Sequence, residues 1–111
     1  MNVIKSSAQI SDVFQTGTRF GARGLTILIK EHDATRRDLP GRVAFIAGKK
    51  LGNAVTRNRC KRVLRAAARE SSVSEVQGYD VVLIANRRTC DVAHAELVRS
   101  LDDLVKKAGM R

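Results

Sequence analysis

The sequence predicts a single α+β domain in which helices pack on one sheet. Three observations lead to this class: the chain has 111 residues, 43% of them are hydrophobic, and helix-like and strand-like apolar patterns alternate along it. A chain of this length usually forms one domain, and the order helix, strands, helix, strand, helix is typical of a two-layer sandwich. Because aromatic residues make up only 4% of the chain, aliphatic and Ala side chains must fill the core. We therefore expect one domain over residues 1–111.

The N-terminal segment predicts a helix over about residues 7–15. Ile10, Val13 and Phe14 recur at the i, i+3, i+4 spacing of one helix face. Gly17 then ends the pattern, since Gly is common just past the C-terminus of a helix. In this pattern Phe14 is a core residue, and its alternative role is a platform for a nucleic-acid base.

Four segments predict strands. Residues 25–30 (LTILIK) and 42–47 (RVAFIA) are apolar and rich in β-branched side chains. Residues 79–85 (YDVVLIA) are apolar after their second position, which indicates a strand buried on both faces. Residues 18–22 are ambiguous and fit a short strand. The polar segment 31–41 ends in Pro-Gly and predicts a loop.

Two further helices are predicted in the second half of the chain. The first begins after Asn53, a favourable N-cap residue, and runs to about Glu70 without Gly or Pro. The polar segment 71–78 then predicts a surface loop. The last helix begins near Asp91 and carries an apolar stripe formed by Leu97, Leu101, Leu104, Val105 and Ala108.

Positive charge is concentrated in one part of the chain. The formal net charge is +10, but residues 39–69 hold nine Lys or Arg and no acid. The other 80 residues hold 12 basic and 11 acidic side chains, so they are nearly neutral. A local cationic surface attracts polyphosphate chains by releasing their counterions. The charge distribution therefore favours RNA as a partner.

A membrane is the rival anionic partner. No segment approaches roughly 18 consecutive apolar residues, and no basic start precedes a long apolar run. Cys60 and Cys90 show neither C-x-x-C spacing nor a disulfide-rich pattern, which favours free thiols in a reducing compartment. We expect a cytoplasmic protein without a membrane partner.

On a helical wheel, the central helix has a narrow apolar face and a wide basic arc. The apolar face consists of Cys60, Val63, Leu64 and Ala67. The arc has two flanks, with Asn58, Lys61 and Arg65 on one and Arg59 and Arg62 on the other. A solvated helix usually interleaves Glu with Lys, so an acid-free arc favours a bound polyanion. The preceding turn adds Lys49 and Lys50, and the helix N-terminus suits a phosphate.

The segment from Gly48 to Arg65, GKKLGNAVTRNRCKRVLR, resembles the signature of the protein subunit of bacterial ribonuclease P. The resemblance extends over the whole chain. Other matching segments are Asp12-Val13-Phe14 with Gly17, Arg42-Val43, Tyr79-Asp80 with the VVLIA strand, and the Leu-rich last helix. Three features depart from the family pattern. Residues 1–7, usually a basic stretch, contain one basic residue, Lys5, and residues 25–29 contain no aromatic residue. Gly48 stands where the family frequently has Ser.

This resemblance implies an αβββαβα fold like that of a ribosomal-protein domain, with a left-handed crossover between parallel strands. It also implies an endoribonuclease whose catalytic centre is a partner RNA with Mg²⁺, bound mainly by that RNA. The protein would contribute no catalytic residue and no metal site. It would bind the catalytic RNA and the 5′ leader of precursor tRNA, and so assist removal of the leader.

The resemblance also assigns residues to these partners. The implied RNA-binding set is Lys49, Lys50, Asn53, Arg57, Asn58, Arg59, Lys61, Arg62, Arg65 and Arg69. The leader cleft would consist of Arg57, Asn58, Lys61 and Arg65, with Phe14 on its floor. Arg59 and Arg62 with Lys50 would face the catalytic RNA.

Two other classes of nucleic-acid-binding protein fit the basic helix. A general RNA-binding or ribosomal protein uses such a helix without a role in tRNA processing, and a DNA-binding protein inserts one into a major groove. The spacing around Asn58 favours the ribonuclease P subunit, with no DNA partner. His32 and His94 lack neighbours at zinc-ligand spacing. A two-metal nuclease requires convergent carboxylates, which the acid-free stretch lacks.

Overall fold

The computed structural model describes residues 2–4, 6–33, 35 and 38–109. Within these ranges the chain forms five strands and three α-helices around one sheet. In chain order they are β1 (Asn2–Val3), α1 (Ser7–Thr16), β2 (Thr18–Ala22), β3 (Leu25–Glu31), β4 (Arg42–Ile46), α2 (Ala54–Glu70), β5 (Tyr79–Ala85) and α3 (His94–Lys107). Lys5 and part of the predicted loop 31–41 lie outside the described residues. The α+β class is confirmed.

The sheet has the strand order β1-β4-β5-β3-β2. The β2–β3 and β3–β5 pairs are antiparallel, whereas β4 runs parallel to both β1 and β5. Because β4 and β5 are parallel neighbours, the chain between them must cross over the sheet, and α2 is that crossover. The predicted βαβ unit with the basic helix in its connection is therefore present.

Several boundaries differ from the sequence predictions. The ambiguous segment 18–22 is a strand because all five of its residues pair with β3. The two-residue strand β1 was not predicted, since two residues are too few to show an alternating pattern. The predicted loop 71–78 contains a short 3-10 helix over Ser72–Glu75. A second 3-10 helix, Lys49–Leu51, precedes α2.

The last helix begins at His94 rather than near Asp91 because a buried Thr89 holds the preceding residues in turns. The Thr89 hydroxyl donates to the carbonyl of Gly24 at 2.7 Å and accepts from the backbone N–H of Asn86 at 2.8 Å. These bonds tie the loop after β5 to the turn before β3. The chain is free to enter a helix only after this link.

Two apolar cores lie on opposite faces of the sheet. The larger core joins the sheet to α2 and α3, and its fully buried side chains include Leu25, Leu64, Leu83 and Leu97. The smaller core joins α1 to the other face through Val13, which packs near Leu28, Ala44 and Val82. The helix α1 therefore covers the face opposite α2.

Asp80 on β5 connects three neighbouring strands. It accepts hydrogen bonds from Nε and Nη2 of Arg42 at 2.9 and 2.7 Å, and its Oδ1 lies 2.8 Å from Nε2 of His32. Arg42 is the register partner of Asp80 on β4, and His32 follows β3. Burial alone would raise the pKa of Asp80, but the bonds to Arg42 and His32 outweigh it and hold this pKa below its usual value.

Asp80→Asn should lower the free energy of unfolding by about 2–4 kcal/mol at neutral pH, because Arg42 then loses its charged acceptor while remaining largely buried. The folded pKa of Asp80 lies below its unfolded value of about 3.9. Its contribution is therefore complete above the unfolded pKa and is lost as the pH falls through the folded pKa. Urea denaturation at several pH values measures both effects. A difference between the two proteins that stays constant in acid would contradict this electrostatic account.

Candidate nucleic-acid interface

The start of α2 is fixed by a turn and a capping side chain. Gly52 has a φ of 130°, a backbone conformation that residues with a side chain rarely adopt. Oδ1 of Asn53 then accepts a hydrogen bond from the backbone N–H of Thr56 at 3.0 Å, which confirms the predicted N-cap. Lys49 and Lys50 are exposed in the short helix before this turn. Two Lys side chains therefore lie close in sequence to the positive end of the α2 dipole.

The wheel prediction for α2 is confirmed on its buried side. Cys60, Leu64 and Ala67 are buried against the sheet, Ala68 is also buried, and Val63 is half-buried. The basic residues of α2 are exposed or half-buried: Arg57, Arg59, Lys61, Arg62, Arg65 and Arg69. Within the ranges that the structure describes, no carboxylate forms an ion pair with any of them. The described part of the chain therefore leaves their charge unpaired.

An open cleft of about 420 Å³ lies along one side of α2. The side chains that line it are Val55, Asn58, Lys61, Arg62 and Arg65, which follow one another at helical spacing. The guanidinium carbon of Arg65 lies 5.3 Å from the ring centroid of Phe45 on β4. This cation–π contact supports the guanidinium group at the cleft. The sequence places Phe45 only in the predicted strand 42–47, because nothing in a sequence reports a contact between positions twenty residues apart.

Arg62 lines the same cleft as Lys61 and Arg65, although the wheel grouped it with Arg59. Arg59 instead lines a cavity of about 250 Å³ on the other side of α2, together with Arg87 from the loop after β5. Sequence reasoning missed Arg87, which lies outside the acid-free stretch. Two basic surfaces on α2 are therefore present, with Arg62 on the cleft side.

Arg57 is half-buried at the start of α2. Its Nε atom is shielded from solvent and has no hydrogen-bond acceptor among the described residues. Because a shielded N–H group without an acceptor is unfavourable, Arg57 has unused capacity to bind an acceptor that the protein does not supply. The residues that line the α2 cleft do not include Arg57, and its place in an RNA interface stays a prediction.

Phe14 lies apart from the α2 cleft. Its side chain is 49% exposed, and α1 packs on the sheet face opposite α2. The residues that line the α2 cleft do not include Phe14. On the face that α1 covers, Ile46 and Ile84 are half-buried register partners. The floor of the predicted leader cleft would therefore lie on this face of the sheet, whereas Lys61 lies on the other side. The role of Phe14 stays a prediction.

The family model for ribonuclease P matches residues 1–109 of the chain. The chain belongs to the ribonuclease P protein family. The ribonuclease P protein component of Symbiobacterium thermophilum is 36% identical over 107 residues, which cover 96% of this chain and 90% of that protein. That of Natranaerobius thermophilus is 33% identical over 105 residues, covering 95% of this chain and 88% of that one.

Solved structures of family members share the fold. The RNase P protein of Staphylococcus aureus superposes with a TM-score of 0.75 and 25% identity, covering 97% of this chain and 95% of that one. The RNase P protein of Thermotoga maritima gives a TM-score of 0.76 at 19% identity, with 96% and 97% covered. The α+β fold is therefore retained at low sequence identity.

No helix in the described part of this chain is long and apolar enough to cross a membrane.

Asn53 allows a test of what its side chain contributes to the fold. Asn53→Ala should lower the free energy of unfolding by about 1 kcal/mol, because the N–H of Thr56 loses its acceptor. Asn53→Asp should stay within about 0.5 kcal/mol of the parent, because Asp is an equally good cap and its charge suits a helix N-terminus. Thermal or urea denaturation measures both. Equal losses in the two variants would show that capping is not the relevant contribution.

Proposed function

We propose that this chain is the RNA-binding subunit of a ribonuclease P ribonucleoprotein. It binds the catalytic RNA and the 5′ leader of precursor tRNA, and it assists the endonucleolytic cut that forms the mature 5′ end. The observation that carries the proposal is the unneutralised basic surface of α2 beside a cleft lined by Asn58, Lys61, Arg62 and Arg65. A polyanion removes the repulsion among these side chains, which no carboxylate of the described residues pairs with.

The chemistry of the cleft suits single-stranded RNA. Arg guanidinium groups donate paired hydrogen bonds to phosphate oxygens and also stack on bases. Arg65 is already oriented by Phe45, so less conformational entropy is lost when it binds. The amide of Asn58 can donate and accept, and Val55 is 74% exposed at the same cleft. The cleft therefore offers a nucleotide positive charge, hydrogen-bonding groups and an apolar contact at one place.

The two sides of α2 divide the partners in our proposal. The cleft side, with Lys61, Arg65 and, one turn earlier on the helix, Arg57, would bind the leader. The other side, with Arg59 and with Lys50 from the preceding turn, would bind the catalytic RNA. Arg62 lines the cleft, so we place it on the side that would bind the leader rather than with Arg59. One helix can then bridge substrate and ribozyme.

Catalysis in this proposal belongs to the RNA subunit. The RNA would hold most of the Mg²⁺, and the protein would contribute no group that reacts. Basic side chains on α2 would reduce the repulsion between leader and catalytic RNA, a task that Mg²⁺ otherwise performs through counterion condensation. The protein should therefore matter most when Mg²⁺ is scarce.

Reconstitution tests the main proposal. At low Mg²⁺, adding the purified protein to the ribonuclease P RNA of the same organism should increase leader cleavage of precursor tRNA at least about tenfold, because protein cations replace bound Mg²⁺. The control omits the RNA subunit and should show no cleavage. Unchanged cleavage would contradict the proposal and favour a general RNA-binding or ribosomal protein. Cleavage by RNA-free protein would favour a protein nuclease.

Single substitutions test the division of α2. Lys61→Ala and Arg65→Ala should each weaken holoenzyme affinity for precursor tRNA by about 3–10-fold and leave mature tRNA nearly unaffected, because only the precursor has a leader. Arg59→Ala should instead weaken affinity for the catalytic RNA. Each phosphate contact removed should also reduce the log–log salt slope by roughly one.

Filter binding or fluorescence titration at several salt concentrations measures these affinities. Arg99→Ala is the matched control, because Arg99 is an exposed basic residue on α3 away from both cavities. Equal losses for Lys61, Arg65 and Arg59 in every assay would show that α2 does not have two distinct sides.

A further inference from the structure

Two cysteines meet beside the Arg59 side of α2. Cys60 lies in α2, Cys90 lies in the loop between β5 and α3, and their Sγ atoms are 3.4 Å apart. Both thiols are free. The chain has only two Cys, and the fold brings them into contact across 30 positions of sequence. The proposed RNA contacts use neither thiol.

The two thiols differ in their access to solvent. Both thiols line the open cavity of about 250 Å³ beside Arg59 and Arg87, but Cys60 is only 5% exposed whereas Cys90 is half-buried. Burial raises the pKa of the Cys60 thiol, and its hydrogen bond with Cys90 acts in the same direction. A small oxidant therefore reaches Cys90 first, and the Cys60 sulfur lies in contact with it.

We propose that Cys60 and Cys90 form a reversible oxidation site, where a peroxide converts the two thiols into a disulfide that joins α2 to the loop after β5. In the first step the Cys90 sulfur attacks hydrogen peroxide. An S–O bond forms, the O–O bond breaks, and the thiol proton passes to the departing oxygen, which leaves as one water and gives a sulfenic acid. In the second step the Cys60 sulfur attacks that sulfur, the S–O bond breaks, and the proton of the Cys60 thiol passes to the departing oxygen, which leaves as a second water.

The atoms balance over the two steps: two thiols and one hydrogen peroxide give one disulfide and two waters. The two thiols are oxidised and the peroxide is reduced. A thiol reductant of the cytoplasmic type would restore both Cys by exchange.

The geometry favours closure over further oxidation. The sulfurs have to approach from 3.4 Å to about 2.05 Å, and rotation of the two side chains can supply this movement while Thr89 holds the turn that carries Cys90. The Cys60 thiol is already in contact when the sulfenic acid forms. It should therefore capture the acid before a second peroxide does.

Peroxide treatment of the reduced full-length chain tests the proposal. Intact-mass spectrometry should show the loss of two hydrogen atoms, and trypsin should release residues 60–61 linked to residues 89–99. Dithiothreitol should reverse both changes. The oxidised form should melt roughly 5–15 °C higher, because the cross-link restricts the unfolded chain.

Variants of the two thiols separate the steps. In Cys60→Ser, Cys90 should still form a sulfenic acid that dimedone traps, and no internal disulfide should appear. Cys60→Ala is made in parallel, because Ser places a hydroxyl group in the core. Cys90→Ser, which changes a half-buried position at the edge of the core, should show little trapping at Cys60.

Three results would overturn the proposal. They are disulfide-linked dimers as the main product, a Cys90 sulfenic acid that persists in the parent chain, and two thiols that are both alkylated when the peroxide-treated chain is unfolded in denaturant. Since the test uses neither RNA nor cleavage, its failure is separate from failure of the proposed function.

Discussion

Leu64 and Ala67 pack on the sheet without exposed surface, and the orientation of α2 depends on this contact. The buried face is narrow and consists mostly of small side chains, so it turns only a limited arc of the helix inward. Every other position of α2 must then face outward or lie at the boundary. Burial of an apolar stripe thus determines where the basic side chains are presented, although none of those side chains contributes to the core.

The support for α2 comes from the parallel strands that it connects. β5 pairs along its length with β3 and with β4, and Val81, Val82 and Leu83 are fully buried between the two cores. Asp80 at the start of β5 binds Arg42 of β4 and His32 after β3, which fixes these strands at one level. The helix α2 follows β4 and precedes β5 in the chain. A fixed register between β4 and β5 therefore also fixes where the helix lies.

The sequence predicted those parts of the fold and site that depend on local pattern. The helix stripe with Leu64, the N-cap at Asn53 and the apolar run of β5 all produce a periodicity or a residue preference that is visible without tertiary structure. Contacts between distant segments leave no such trace. The cation–π contact of Arg65 with Phe45 and the contact of Cys60 with Cys90 depend on how the sheet brings the elements together, so they could not be predicted.

The basic surface of α2 lowers the stability of the free protein. Like charges at i, i+4, as in Arg57 with Lys61 and Lys61 with Arg65, each destabilise a helix by about 0.2–0.5 kcal/mol. The N-cap, the Ala-rich C-terminal half and the buried face offset this repulsion. A bound polyanion removes it, and a ligand that binds only the folded state stabilises that state in proportion to its affinity. The charges that weaken the free helix are therefore the ones through which RNA would strengthen it, and folding and binding are linked through α2.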